Sequence, residues 1–251
     1  MSRSFNSPEE RLGVVRDLVS ERGAVRIDEL ATAFGVSEMT IRRDLDELEA
    51  LGVARRVRGG ALALGPEPFA QRHRHNARAK ARIAEKLLPL LPVSGTVAFD
   101  ASTTIYRLAA SLENARDLVV VSNGLDTFNT LVGKAGITAS LSGGIQEPRT
   151  GSLVGPMAVR AVESYLYDVF VCSAAALDHE VGSSEAALAE SEVKRAFSQT
   201  SRRIILAVDH SKLGTRAQAR MFQLEQLDLL VTDLEPEDSR LDDYRGRVAL
   251  A

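Results

Sequence analysis

Residues 37–61 read SEMTIRRDLDELEALGVARRVRGGA, and the fold of the N-terminal part turns on that stretch. Ser37 is a good helix N-cap, and Ile41, Leu45 and Leu48 follow at i, i+4 and i+7, one apolar stripe of an α-helix. At about 100° per residue the stripe leaves Met39 and Arg43 on the opposite side, flanked by Thr40 and Arg42. Upstream, Ile27, Leu30, Ala31 and Phe34 pattern a shorter helix, and Gly35 stands where a tight inter-helix turn needs a residue tolerant of positive φ. Downstream, Gly52 is placed to end the helix as its C′ residue. Residues 53–57 then form a short strand displaying Arg55 and Arg56, with Arg58 beside a Gly59-Gly60 turn. A helix presenting arginines and a hairpin presenting more suit a major groove and its neighbouring phosphates. Ser37, Met39, Thr40, Arg42, Arg43, Arg55, Arg56 and Arg58 are the candidate contacts. The alternative is a solvated face with Arg42–Asp46 and Arg43–Glu47 pairs, which put the cation first and are the weaker orientation.

The formal net charge of −3 excludes a protein that coats nucleic acid without selection, so any affinity must be local, where Arg42 to Arg58 gather. The single cysteine, Cys172, rules out an internal disulfide and a Cys-cluster zinc site; in its apolar run it reads as a buried, inert thiol. With no leader-like segment and no apolar stretch near the ~20 residues a bilayer span needs, a cytoplasmic protein without membrane contact is expected.

A helix over residues 9–22, after Ser7-Pro8, completes an expected DNA-binding domain at 1–64. Residues 65–77, GPEPFAQRHRHNA, read as a linker with solvated His73 and His75; H-x-H alone offers too few ligands for a metal. From residue 78 to 251, apolar runs at 96–99, 118–121, 137–141, 169–172, 204–208 and 227–231 alternate mostly with helical patterns. The fold class is therefore α/β: a winged helix-turn-helix followed by a mostly parallel sheet covered on both faces. Ligands of such sheets bind beyond the carboxyl ends of the strands. Those ends carry Asp100-Ala101-Ser102-Thr103-Thr104, Ser122-Asn123, Gly143-Gly144 and Asp209-His210-Ser211-Lys212. Hydroxyls, glycines and a helix N-terminus suit a phosphate or other compact anion, with Lys80 and Lys212 as countercharge and Asp100 and Asp209 accepting from sugar hydroxyls. Capping is the competing role for Ser102, Thr103, Thr104, Ser122 and Asn123. Tyr106 is read as a packing residue.

Residues 37–61 resemble the winged helix-turn-helix of the DeoR family of bacterial repressors, matching S-x-M-T-I-R-R-D-L-x-x-L-x-x-x-G-x-x-x-R-x-x-G-G-A at every fixed position. The family often has His where this chain has Arg58. The blocks FDASTT, VVVSNG, LSGG with RTGSLVGP, and VDHSKLG resemble the family's effector domain, similar in fold to ribose-phosphate isomerases and CoA transferases. That resemblance implies a phosphorylated sugar or related metabolite at Asp100, Ser102, Thr103, Thr104, Ser122, Asn123, Gly143, Gly144, Lys212 and, more loosely, Lys80. The block Glu190-Ser191-Glu192-Val193-Lys194 also resembles a family element, with a charged helix face as its alternative. Ala176 stands where the family usually has glycine, so the ligand's identity is not inherited.

The expected protein is thus a repressor of a sugar-utilisation operon that binds operator DNA as a homodimer or homotetramer, under control of a sugar-phosphate effector and without a cofactor. The alternative is a sugar-phosphate isomerase or transferase with an accessory N-terminal domain, its carboxylates and lysines working as acids and bases.

Overall fold

Ser7 accepts a hydrogen bond from the Glu10 amide, Pro8 occupies the first turn, and helix α1 (Pro8–Arg22) starts there. The computed structural model describes residues 7–51, 53–63 and 69–251. The chain divides into two units, Met1–Arg72 and His73–Ala251.

In the first unit, β1 (Ala24–Arg26), α2 (Ile27–Phe34), α3 (Glu38–Ala50), β2 (Ala54–Val57) and β3 (Gly60–Ala63) follow α1. Val15 and Val19 of α1, Ile27, Leu30 and Phe34 of α2, and Ile41, Leu45 and Leu48 of α3 share one core. Gly35 ends α2 at φ 66°, the left-handed turn its position requires. The three strands pair antiparallel in the order β1-β3-β2. A Cβ on Gly60 would lie 2.0 Å from the Val25 carbonyl oxygen, so only glycine lets β1 and β3 approach this closely. Strand β1 is too short for its alternation to show in the sequence. The expected role of Gly52, and residues 64–68 at the domain end and linker start, lie outside the described residues.

The remainder of the expected linker is ordered differently. Helix α4 (Phe69–Arg74) and helix α5 (Ala77–Leu87) occupy it, separated by Asn76 at φ 51°. His73 is not a solvated linker residue: its carbonyl accepts from an Arg107 Nη at 3.0 Å, and its ring meets Tyr106 edge-on at 5.2 Å. These are long-range contacts, which a polar, Pro-containing composition does not reveal.

The second unit continues with β4 (Gly95–Phe99), α6 (Thr103–Ser111), β5 (Leu118–Ser122), α7 (Leu125–Leu131), β6 (Ile137–Leu141), β7 (Ile145–Gln146), β8 (Leu153–Val154) and α8 (Pro156–Glu163). Then come β9 (Val169–Cys172), β10 (Ala176–Asp178), β11 (Gly182–Glu185), α9 (Leu188–Gln199), β12 (Ile204–Ala207), β13 (Ala219–Arg220) and β14 (Leu229–Val231). Six strands form a parallel sheet in the order β14-β12-β9-β4-β5-β6. Period-two alternation sends Val97, Phe99, Val169 and Val171 into one core and Ala98, Phe170 and Cys172 into the core on the other face. Cys172 is fully buried, and that burial pushes its thiol pKa well up, as an inert core thiol requires. From β4 the chain builds outward through β5 and β6, then returns with β9, β12 and β14 on the other side. The strand order therefore reverses between β4 and β9, the switch point where open parallel sheets hold ligands. The small antiparallel sheet β10-β11-β13 was not legible in the sequence, because GSSE in β11 has no apolar alternation.

Candidate functional site

In the first unit, the Ser37 hydroxyl accepts from the Thr40 amide at 3.2 Å and lies 2.9 Å from the Thr40 hydroxyl, fixing the start of α3. Ile41, Asp44, Leu45 and Leu48 face inward, leaving Met39, Arg42 and Arg43 exposed. Asp44 is buried because Arg11 of α1 grips it with two bonds, Nε at 2.7 Å and Nη2 at 2.9 Å. This clamp was missed in the sequence, where Asp44 reads as one more polar residue among RRD. Neither pair of the alternative reading, Arg42–Asp46 or Arg43–Glu47, is among the ion pairs of the described residues. Arg42 instead meets Glu38 at 3.5 Å, acid first, the favourable order.

Arg56 does not stand with the outward-facing arginines of the expected contact set. The Arg56 side chain is only 20% exposed. It donates to the Asp46 carboxylate, to the Arg42 carbonyl at 2.9 Å and to the Gly60 carbonyl at 3.3 Å, and its amide donates to Glu49 at 2.6 Å. Strand alternation is the reason: Arg55 points outward, so Arg56 points back at α3. It ties the wing to the helix, while Arg55 and Arg58 stay on the exposed side.

In the second unit, β4 and β5 are in register at Phe99 and Ser122, which brings Asp100 and Asn123 side by side. Asp100 is fully buried, and its oxygens are saturated. One accepts from the Ser102 amide at 3.0 Å and hydroxyl at 2.6 Å; the other accepts from the Ser173 amide at 2.9 Å and pairs with Lys194 at 2.7 Å. It has no lone pair to spare for a sugar hydroxyl, so the expected direct role does not fit. Ser102 likewise caps α6, accepting from the Ile105 amide at 3.2 Å, and the Ser122 hydroxyl accepts from the Gly124 amide at 3.0 Å. Ser102 is therefore a cap, whereas the Ser122 bond closes a local turn, since α7 has Gly124 at its N-cap and no side-chain cap.

Three polar atoms nearby are different. Asn123 donates from Nδ2 to the Leu153 carbonyl at 3.2 Å, but its Oδ1 is buried with no protein partner. The Thr104 and Thr127 hydroxyls are buried in the same condition. Such atoms cost stability unless something else meets them. Thr127 was not singled out from the sequence, where the first turn of α7 looks like ordinary helix.

Lys212 lies at the switch point, donating to the Ala174 carbonyl at 2.6 Å and to the Ser173 hydroxyl at 3.2 Å, so it meets Asp100 across Ser173. Lys80 is buried on α5 and acts on Asp209. Burial would raise the Asp209 carboxyl, but the Ser211 hydroxyl, Lys212, Asn76 and Lys80 together outweigh it and hold the pKa below the ordinary range. Asp209 also accepts from Asn76 at 2.8 Å. Gly143 and Gly144 follow β6, three strand spacings from the end of β9 that the Lys212 ammonium reaches, roughly 14 Å across the sheet. The glycines shape the return of their loop: a Cβ on Gly144 would lie 2.7 Å from the Val154 carbonyl oxygen. That return brings the Leu153 amide to the Asn123 carbonyl at 2.6 Å and pairs Ser152 with Gly124.

Behind these residues lies a buried charge cluster. The Lys194 ammonium donates to the Ser173 carbonyl at 2.9 Å and to Glu185 at 2.5 Å besides pairing with Asp100. Glu190 accepts from the Ser152 hydroxyl at 2.7 Å. Desolvation opposes the charge on Lys194, but Asp100, Glu185 and Glu190 outweigh it and raise its pKa. The block 190–194 is therefore not a solvated helix face: Glu190 and Lys194 are buried. Ala176, the departure from the family pattern, is buried in β10 opposite Ser184.

Comparison with known proteins gives matches to both parts. Residues 11–66 match the DeoR-like helix-turn-helix domain, and residues 75–234 match the DeoR C terminal sensor domain. The glycerol-3-phosphate regulon repressor of Escherichia coli (strain K12) is 32% identical over 230 residues, covering 90% of this chain and 91% of that protein. The HTH-type transcriptional regulator GolR of Listeria innocua is 31% identical over 230 residues, 90% of this chain and 91% of GolR. Transcriptional repressor AccR of Agrobacterium fabrum is 31% identical over 234 residues, 91% of each chain. Among solved structures, a D-ribose-5-phosphate isomerase in complex with phospho-erythronic acid is similar at TM-score 0.42 and 14% identity, covering 55% of this chain and 54% of that one. Two domain matches in this order, with repressors aligned over nine tenths of the chain, leave no place for the isomerase alternative: the chain belongs to the DeoR family and is a DNA-binding transcriptional regulator.

Proposed function

We propose that this regulator represses a sugar- or polyol-utilisation operon and that a small phosphorylated polyol, bound in the second unit, changes its operator affinity. The observation carrying the effector reading is the trio of buried, unmet atoms at the ends of β4 and β5: Asn123 Oδ1, Thr104 Oγ1 and Thr127 Oγ1. Asn123 Oδ1 is an acceptor and calls for a hydroxyl donor, while the threonine hydroxyls can donate to an anion. Lys212 and Lys80 supply positive charge, Gly143 and Gly144 shape the loop, and Asp100, Ser102 and Ser122 hold the frame. Thr103 sits in the first turn of α6 with Thr104. A relative named for the glycerol-3-phosphate regulon supports a phosphorylated effector of this size. Ligand and operator must act on each other's affinity by the same factor.

On the DNA side, Ser37, Met39, Thr40, Arg42 and Arg43 lead into the major groove, with Arg55 and Arg58 on phosphates. The boundaries we assign are 1–64 for DNA binding and 78–251 for effector binding and self-association. A homodimer or homotetramer in the cytoplasm is the working form, since one winged helix reads too few base pairs. Exposed Ile145, Met157, Leu166 and Leu188 on the second unit support self-association, and among the described residues no helix is long and apolar enough to cross a membrane.

A thermal-shift screen of glycerol 3-phosphate, pentose phosphates and hexose phosphates beside their unphosphorylated forms tests the effector reading. A phosphorylated hit should raise the melting temperature and shift operator affinity, and Lys212→Ala should abolish both effects while leaving ligand-free operator binding intact. Response to an uncharged sugar alone, or an undiminished response in Lys212→Ala, would overturn it.

A further inference from the structure

We infer that Met39 reads a thymine, packing its side chain on the C5 methyl group in the major groove. The inference rests on α3 being the DNA-facing helix, and it adds a base identity to that reading. Met39 is 60% exposed although it lies within a compact three-helix unit. With about 100° per residue, it stands almost diametrically opposite the buried set Ile41, Asp44, Leu45 and Leu48, on the line of α3 furthest from the core. It also lies in the first turn, the end that a recognition helix leads with.

The polar groups around it are partly engaged. Ser37 and Thr40 bond each other across the cap, and Arg42 lies against Glu38. Arg43 follows one turn on, exposed and on the same side. Asp46, two turns from Met39 on that side, would repel DNA, but Arg56 neutralises it. The outward line of α3 is therefore an apolar, flexible thioether followed by a cation. In the major groove every base edge shows hydrogen-bonding groups, and the thymine methyl is the one apolar feature. A methionine laid against cytosine, guanine or adenine would strip water from those groups and return nothing to them. Against a methyl it gains buried apolar surface, and its three rotatable bonds let it follow the groove.

The test starts from operator half-sites selected by the full-length protein from random duplexes. Each thymine is then replaced by deoxyuridine, which removes the methyl and nothing else. A single replacement should weaken the parent protein about fourfold, the value of one buried methyl group. The same replacement should leave Met39→Ala within about 1.5-fold, whereas Met39→Leu should keep the sensitivity. The idea is overturned if no thymine in the selected site responds, or if Met39→Ala loses as much as the parent. A selection that enriches no sequence at all would instead strike the operator-binding reading, so the two failures are distinguishable.

Discussion

The outward face of α3 and the strand ends of the parallel sheet both carry polar residues, yet they use them in opposite ways. On α3, Arg42, Arg43 and Met39 stand in solvent and the helix beneath them is held by other residues, Ile41, Leu45, Leu48 and the Arg11–Asp44 clamp. At the strand ends, Asp100, Ser102 and Ser122, with Lys194 of α9 behind them, are themselves the support, buried and bonded to one another or to backbone. On a surface helix the display and the scaffold are separate residues. In a crevice between strands they share the same residue types, and only the neighbours decide which side chain has capacity left for a ligand.

Loss of the Lys194 charge should cost the most stability. If the strand-end cluster is support, Lys194→Met strands Asp100, Glu185 and Glu190 without a countercharge. It should destabilise the second unit by ~3–5 kcal/mol, read as a lower denaturant midpoint. A midpoint within error of the parent would mean that the cluster is not structural. The corresponding loss in the first unit is smaller. Asp44→Ala leaves the Arg11 guanidinium partly buried and unmet and should cost ~2 kcal/mol, measured by the unfolding of that unit. Conversely, Arg43→Ala should leave stability alone and weaken operator binding by ~1–3 kcal/mol if it grips a guanine.

The wing arginines sharpen the same contrast. Arg55→Ala and Arg58→Ala should weaken operator and random duplex alike and lower the salt slope by about one each. Arg56→Ala should leave that slope unchanged, weaken operator binding only by uncovering Asp46, and loosen the wing, seen as faster amide exchange at residues 54–57. Equal slopes for all three would return Arg56 to the DNA. The smallest effect concerns Asp209. Its pKa is lowered in the folded state, so its contribution is present above the unfolded value of about 3.9 and lost as pH falls through the folded one. Asp209→Asn should therefore lower the melting temperature at pH 7, and the gap to the parent should close in acid. A gap that persists at low pH would mean that the carboxylate's charge is not what matters.

Periodicity and residue type alone determined the helices of the first unit, the outward placement of Met39, Arg42 and Arg43, the parallel-sheet strands and the burial of Cys172. Each depends on one element meeting one core, and a repeat of 3.6 or 2 residues states which side that is. Tertiary structure alone decided that Arg56 turns back to Asp46, that His73 packs on Tyr106, that Asp100 is saturated, and that Glu190 and Lys194 are buried. In all four, the partner is distant in sequence or on another element. A carboxylate, hydroxyl or ammonium has a fixed number of hydrogen-bonding positions, and only packing determines how many of them the protein fills before a ligand arrives.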